Sequence, residues 1–251
     1  MTVLTAIPVG PRVPPELLEA AIRHALAQTH RDTIVLVAGD GERPAVSFTH
    51  DRLVVGTFPA HRGAPFTQQA MLLGSPFSHY APHGADDWTE PDHVATLLGL
   101  RRPAAGSGVI WFHQGAASSV HRSPRTWIEF GVFETTALRS VGGYNAAEPC
   151  GQDSVLTSIL LQTHGVALSR RPTYHKNFRV GSLTHDPATR QGSPIREAVK
   201  VRNRAVLTRC AELGWRSRGA IRAYREGLVP PALRRELEDR AADVARWLAA
   251  G

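Results

Sequence analysis

The first forty residues limit what this chain can fold into more than any other stretch. Val3-Leu4-Thr5-Ala6-Ile7 reads as a short strand ending at Pro8, and Pro8-Val9-Gly10-Pro11 then makes a loop. Pro14 and Pro15 suit the first turn of a helix. Leu17, Leu18, Ala21, Ile22, Ala25 and Leu26 follow at helical spacing. Thr33-Ile34-Val35-Leu36-Val37-Ala38 is a continuous apolar run, the mark of a parallel strand buried on both faces, and it ends in Gly39-Asp40-Gly41. Strand, helix and strand in this order form a βαβ unit, so the class is α/β.

The same reading continues along the chain. Leu53-Val54-Val55-Gly56 is a further strand, Thr67 to Leu73 a helix, and Phe77 to Tyr80 a strand leading into His83-Gly84-Ala85-Asp86-Asp87. Pro91 to Leu100 reads as a helix and Val109 to His113 as a strand. Phe133 to Val141 reads as a turn plus helix closed by Gly142-Gly143, and Gln152 to Thr163 as a packed helix with Gly165 just past its end. Ser193-Pro194 opens a long helix from Ile195 to Leu213, with Ile195, Val199, Val206, Cys210 and Leu213 as its buried stripe. Two more helical pieces follow. Residues 1–189 read as one α/β domain and 190–251 as a basic helical extension packed on it.

Charge separates these two parts. The formal net charge is +7, and from Arg190 to Gly251 there are 14 Arg and Lys against 7 Asp and Glu, so the first 189 residues are balanced. Arg196, Lys200 and Arg204 stand four apart on one helix face. Such a stripe is either a solvated surface or a contact for an anionic partner, DNA included. An apolar share of 42% with 20% charged residues excludes wholesale disorder. No run reaches the ~18–20 apolar residues of a membrane span. Met1 to Thr5 lacks the basic-then-apolar order of a secretory signal, and two cysteines make no disulfide framework. The expected setting is therefore the cytoplasm, that of the host if the gene is a phage's, with no membrane anchor. Nothing in the sequence decides the oligomeric state.

Ligands of open α/β sheets bind at the carboxyl ends of the strands. Asp40 and the Asp86-Asp87 pair fall there. A carboxylate at a strand end accepts from a base or ribose, and an acidic pair suits a hard divalent cation holding a diphosphate. Each also fits simple turn chemistry. His79, His83 and Asp86 raise a zinc-hydrolase alternative, which Pro82 opposes by breaking the helix that their spacing would need.

The order of these features, from Val3 to Thr184, resembles the family 2 glycosyltransferases of the GT-A fold. Thr5-Ala6-Ile7-Pro8 and Ala27-Gln28-Thr29-His30 match the first βα unit. Val37-Ala38-Gly39-Asp40-Gly41 stands at the Val-Asp-Asp-Gly strand end, and Gly84-Ala85-Asp86-Asp87-Trp88 at the Asp-Ala-Asp-Asp motif. Leu138-Arg139-Ser140-Val141-Gly142-Gly143-Tyr144-Asn145 matches the acceptor-side helix and turn. Gly151-Gln152-Asp153 takes the place of Gly-Glu-Asp, and Arg179-Val180-Gly181-Ser182-Leu183-Thr184 is similar to the closing segment. Gly39, Gly84 and Gln152 depart from the pattern where the family has acidic residues, and Arg179 where relatives often carry His.

The resemblance implies an inverting transfer of a sugar from a nucleotide-diphosphate donor, a uridine diphosphate sugar above all, to an acceptor hydroxyl. In it Asp153 is the catalytic base. Pro8, Val9 and Asp40 hold the nucleotide, and Arg62 and Arg179 contact the diphosphate. Asp86 binds Mn²⁺ or Mg²⁺, with His175 or His185 as a further ligand. The basic stripe Arg196, Lys200 and Arg204 points to DNA carrying a hydroxymethylated base as acceptor, as for a phage-type DNA-modifying member. The alternative acceptors are cell-surface polysaccharide, teichoic acid or lipid-linked sugar. A reading of another class is a non-catalytic, basic nucleic-acid-binding protein on a transferase-like fold.

Overall fold

The computed structural model describes residues 1–113, 116–121, 130–179, 182 and 185–251. The opening βαβ unit forms as expected: β1 (Val3–Val9), α1 (Pro15–Leu26) and β2 (Thr33–Asp40), with β1 and β2 parallel and Val3 opposite Thr33. Leu18, Ala21, Ile22, Ala25 and Leu26 are the buried face of α1, packed on Ile7, Val9, Val35 and Val37. β3 (Leu53–Phe58) pairs parallel with β2, and α2 (Ala64–Gly74) is apolar and buried over most of its length. β4 (His79–Pro82) lies parallel to β1 on its other side, two residues later than the apolar run suggests.

The second half turns the sheet mixed. It contains β5 (Trp88–Thr89), α3 (His93–Leu98), β6 (Ala104–His113), β7 (Ala116–His121), β8 (Val132–Glu134), α4 (Thr135–Val141), α5 (Gln152–Thr163) and β9 (Ala167–Phe178). Among the described residues the strand order is β3-β2-β1-β4-β8-β6-β9-β5, with β7 paired to β6. β8 is antiparallel to β4 and β6, while β9 is parallel to β6. The strand β9 is not visible in the sequence pattern because Arg170, Arg171 and Pro172 interrupt it. The chain tolerates them by a register shift beside Pro172 and by pairing the exposed Arg171 bidentately with Asp92, at 2.7 and 2.5 Å.

The C-terminal helices are α6 (Pro194–Glu212), α7 (Arg218–Leu228) and α8 (Pro231–Ala250). Ser193 caps α6 by accepting from the Arg196 N–H. The buried stripe runs through Val199, Asn203 and Cys210, whereas Ile195 is 43% exposed, because the helix packs only from its second turn onward. Cys210, Tyr224, Leu228, Leu237 and Val244 belong to the same hydrophobic core as Leu4, Leu36, Phe66 and Tyr80 of the sheet layer. Trp247 lies over Gly56 and beside Phe58, ring centres 5.0 Å apart, and a Cβ at position 56 would collide with it. No described helix is long and apolar enough to cross a membrane.

Candidate active site

Parallel pairing brings the carboxyl ends of β1, β2 and β4 to one edge. Pro8, Val9, Asp40 and the loop from His83 to Asp87 therefore meet there. β9 runs in the same sense, since β8 reverses β4, β6 reverses β8 and β9 follows β6, so Arg179 emerges at this edge too. α5 leads through Gly165 into the opposite end of β9. Twelve residues of helix span about 18 Å, which returns its N-terminal turn, with Asp153, toward the same edge. Pro8 is half-buried there, but the Val9 side chain is turned into the core under α1, away from the edge.

Asp40 is 2% exposed. Its Oδ1 accepts from the Arg62 N–H and its Oδ2 from the Gly63 N–H, both at 2.7 Å, and His61 Nδ1 lies 2.8 Å from Oδ2. The carboxylate thus ties the end of β2 to the loop that starts α2. The Arg62 side chain turns outward and pairs with Glu236 of α8 at 3.0 and 2.8 Å. Hydrogen bonds from Arg62 hold the Glu236 carboxyl below its ordinary range. An acidic side chain has no room at position 39, where a Cβ would collide with Glu42 O and Pro44.

The two neighbouring acids do different work. Asp87 is 4% exposed and accepts from the Tyr174 O–H and the Asn177 N–H, each at 2.8 Å, while the Tyr174 oxygen accepts from the Gly84 N–H at 2.9 Å. Gly84 is required here, since a Cβ would meet the Asp87 carboxylate. Asp86 instead faces Arg179, Nε to Oδ2 at 2.7 Å. Burial raises both carboxyls above the ordinary range; the Asp87 charge adds to this at Asp86, and Arg179 and Lys176 oppose it. Below them is an aromatic floor: Tyr174 stacks on Phe130 at 4.1 Å and contacts His83 and His93. Burial depresses His83 to about 4 and His93 to about 3.

The expected metal ligands do not come together. His175 Nε2 lies 2.7 Å from Glu90 Oε1, with its ring stacked on Trp88. His185 Nδ1 lies 3.1 Å from Ser182 Oγ. Asp87 is turned to β9, Gly84 supplies no side-chain oxygen, and Asp86 holds Arg179. Among the described residues no three His, Cys, Asp or Glu side chains converge as ligands. A Mg²⁺ or Mn²⁺ beside a diphosphate needs one or two carboxylates, and the two acids of this loop, Asp86 and Asp87, already have partners, so the donor set does not fit it.

Asp153 stands half-buried in the first turn of α5, where the helix dipole favours a carboxylate, and makes no side-chain hydrogen bond among the described residues. α6 covers the preceding turn: Asn203 donates to Gly151 O at 3.2 Å. Arg196 reaches back to Thr189 O, Lys200 pairs with Glu197 at 2.7 Å, and Arg204 is exposed. The stretch 138–145 proves to be a brace. Gln69 of α2 donates to Gly142 O at 2.8 Å and accepts from the Tyr144 N–H at 2.6 Å, and Arg139 caps the last carbonyls of α2. Residues 180–181 and 183–184 of the closing segment lie outside the described residues. Tyr174, Asn177, Lys176 and Glu236 carry no motif, and Tyr174-His175-Lys176-Asn177 lacks the apolar–polar alternation that marks a half-buried strand.

Solved structures share this architecture. The chain matches S. aureus TarS 1-349 in complex with UDP over 98% of its own length and 89% of that chain, at TM-score 0.56 and 11% identity. For the complex with UDP-GlcNAc the shares are 98% and 90%, at TM-score 0.58 and 10% identity. The fold is GT-A. Against the longer TarS chain the match covers 98% of this chain and 55% of that one, at TM-score 0.54 and 9% identity. No family model matches the sequence, and no curated protein does either.

Proposed function

We propose that this chain is an inverting glycosyltransferase that takes a sugar from a nucleoside-diphosphate donor, a UDP-sugar first among them. The observation that carries the reading is the convergence of Asp40, Asp86, Arg179 and the Asp153 turn on one edge of a GT-A sheet, the fold in which TarS was solved with UDP and UDP-GlcNAc. The base and ribose would lie over the ends of β1 and β2, with Arg179 at the diphosphate. The acceptor oxygen attacks the anomeric carbon as its proton passes to the Asp153 carboxylate. The bond from that carbon to the diphosphate oxygen breaks, and its electron pair leaves with the nucleoside diphosphate.

For the acceptor we favour a sugar or polyol hydroxyl of a cell-surface polymer over a hydroxymethylated base in DNA. The DNA reading rests on the charge of α6, which does lie beside Gly151. Yet much of that charge is engaged within the fold: Arg196 on a carbonyl, and Lys200, Arg202 and Arg209 on carboxylates, while in α7 Arg225 lies on the carbonyls of α4. Incubation with UDP-sugars and a panel of glycan, polyol-phosphate and hydroxymethylated-DNA acceptors tests this, read as acceptor-dependent UDP release. Release with the DNA alone reverses the acceptor choice, and no release with any pair removes the transferase reading.

A further inference from the structure

A donor diphosphate brings strong negative charge to the sheet edge, and something there must offset it. The side chains a divalent cation would need are committed elsewhere. Asp87 is bound by Tyr174 and Asn177, position 84 has no side chain, and Asp86 is paired with Arg179. What the edge presents is positive charge at the end of β9. Arg179 is less than a fifth exposed in its side chain and sits on Asp86 at 2.7 Å. Three residues before it, the Lys176 ammonium lies 4.6 Å from the centre of the Phe130 ring, and its charge is felt at both Asp86 and Asp87. Guanidinium is permanently charged and offers a planar fork to phosphate oxygens.

We propose that Arg179, supported by Lys176, is the counter-charge for the donor's diphosphate in a site that binds donor without a divalent cation, and that Asp86 holds Arg179 in place and competes with the donor for it. The inference rests on the transferase reading above. It reverses the sign of one substitution. If Asp86 ligated a cation that held the diphosphate, its neutralisation would abolish donor binding. If Asp86 competes for Arg179, neutralisation releases the guanidinium to the phosphates and binding tightens.

The test is calorimetric titration of the full chain with UDP, in excess chelator and again with Mn²⁺. The expected dissociation constants agree within about threefold, a difference under 1 kcal/mol. Asp86→Asn tightens UDP binding by about threefold or more, and Arg179→Gln weakens it by at least about tenfold. Arg179→Lys keeps the charge without the fork and falls between, which preserves the test should the Gln variant melt early by circular dichroism. Lys176→Gln weakens binding by a few-fold. Binding that appears only with Mn²⁺ or Mg²⁺, or an Asp86→Asn variant that loses UDP, overturns this inference alone. If UDP, GDP, CDP and ADP all fail to bind with and without metal, the transferase reading falls and takes the inference with it.

Discussion

Tyr174→Phe removes one oxygen and nothing else from the floor of the site, and its cost follows from what that oxygen joins. The ring is fully buried and keeps its stack on Phe130 in the variant. The hydroxyl, which burial keeps protonated, donates to the Asp87 carboxylate at 2.8 Å and accepts from the Gly84 N–H at 2.9 Å. A buried hydrogen bond to a charged group contributes roughly 1.5–3 kcal/mol, and an orphaned buried N–H costs roughly 1–3 kcal/mol. The expected loss is about 3–5 kcal/mol at pH 7, a large part of a stability of roughly 5–15 kcal/mol. Urea unfolding followed by circular dichroism should show a lower midpoint with an unchanged slope. The loss should also shrink in acid, because Asp87 without its donor titrates higher still and a protonated carboxyl needs no such partner. A loss below about 1 kcal/mol at pH 7 would refute the bridging role.

On the proposed mechanism Asp153→Asn should lower turnover by about 10²–10⁴-fold while leaving the donor dissociation constant within a few-fold, since a general base acts only as the acceptor attacks. Retention of more than a tenth of the activity would assign the base elsewhere. His83 and His93, held neutral at about 4 and about 3 against an ordinary 6.5, bind protons more readily in the unfolded chain. Stability is therefore full above pH 6.5 and falls below it, by up to about 1.4 kcal/mol per pH unit for each ring. The urea midpoint should track this between pH 6.5 and 4.5, with a shallower fall in His93→Gln. A chain ending at Thr189 should show no cooperative unfolding, since it lacks Tyr224, Leu237 and Val244 of the main core; a sharp melt would show that the sheet layer folds alone.

What was legible in the sequence is what local physics controls. The run Thr33–Ala38 announces a strand buried on both faces, Gly142 closes α4 at φ 101°, and Ser193 caps α6, each by a mechanism contained within a few residues. The strand β9 was hidden because its fit depends on a register shift and on Asp92, 79 residues from Arg171. The division of labour between Asp86 and Asp87 was hidden for a similar reason. Two adjacent side chains point opposite ways, but which one is buried is decided by Tyr174 and Asn177, 87 and 90 residues away. A motif reading places acids at the strand end and cannot say which of them the fold has already used.

The same distinction governs the basic C-terminal part. Its excess charge reads as a surface offered to an anion, yet three of its arginines tie it to the rest of the molecule. Arg202 takes Glu148 in the turn before α5, Arg216 takes Gln162 O at the far end of α5, and Arg225 takes the last carbonyls of α4. In return the acidic Glu236 of α8 takes Arg62, whose own N–H holds Asp40. One helix thereby reaches the end of β2 through two covalently linked contacts, guanidinium on one side and backbone amide on the other. The loop from His61 to Gly63 is thereby fixed from two sides, by Asp40 beneath it and α8 beside it. The C-terminal helices are for that reason part of the scaffold that sets the shape of the edge where β2 ends.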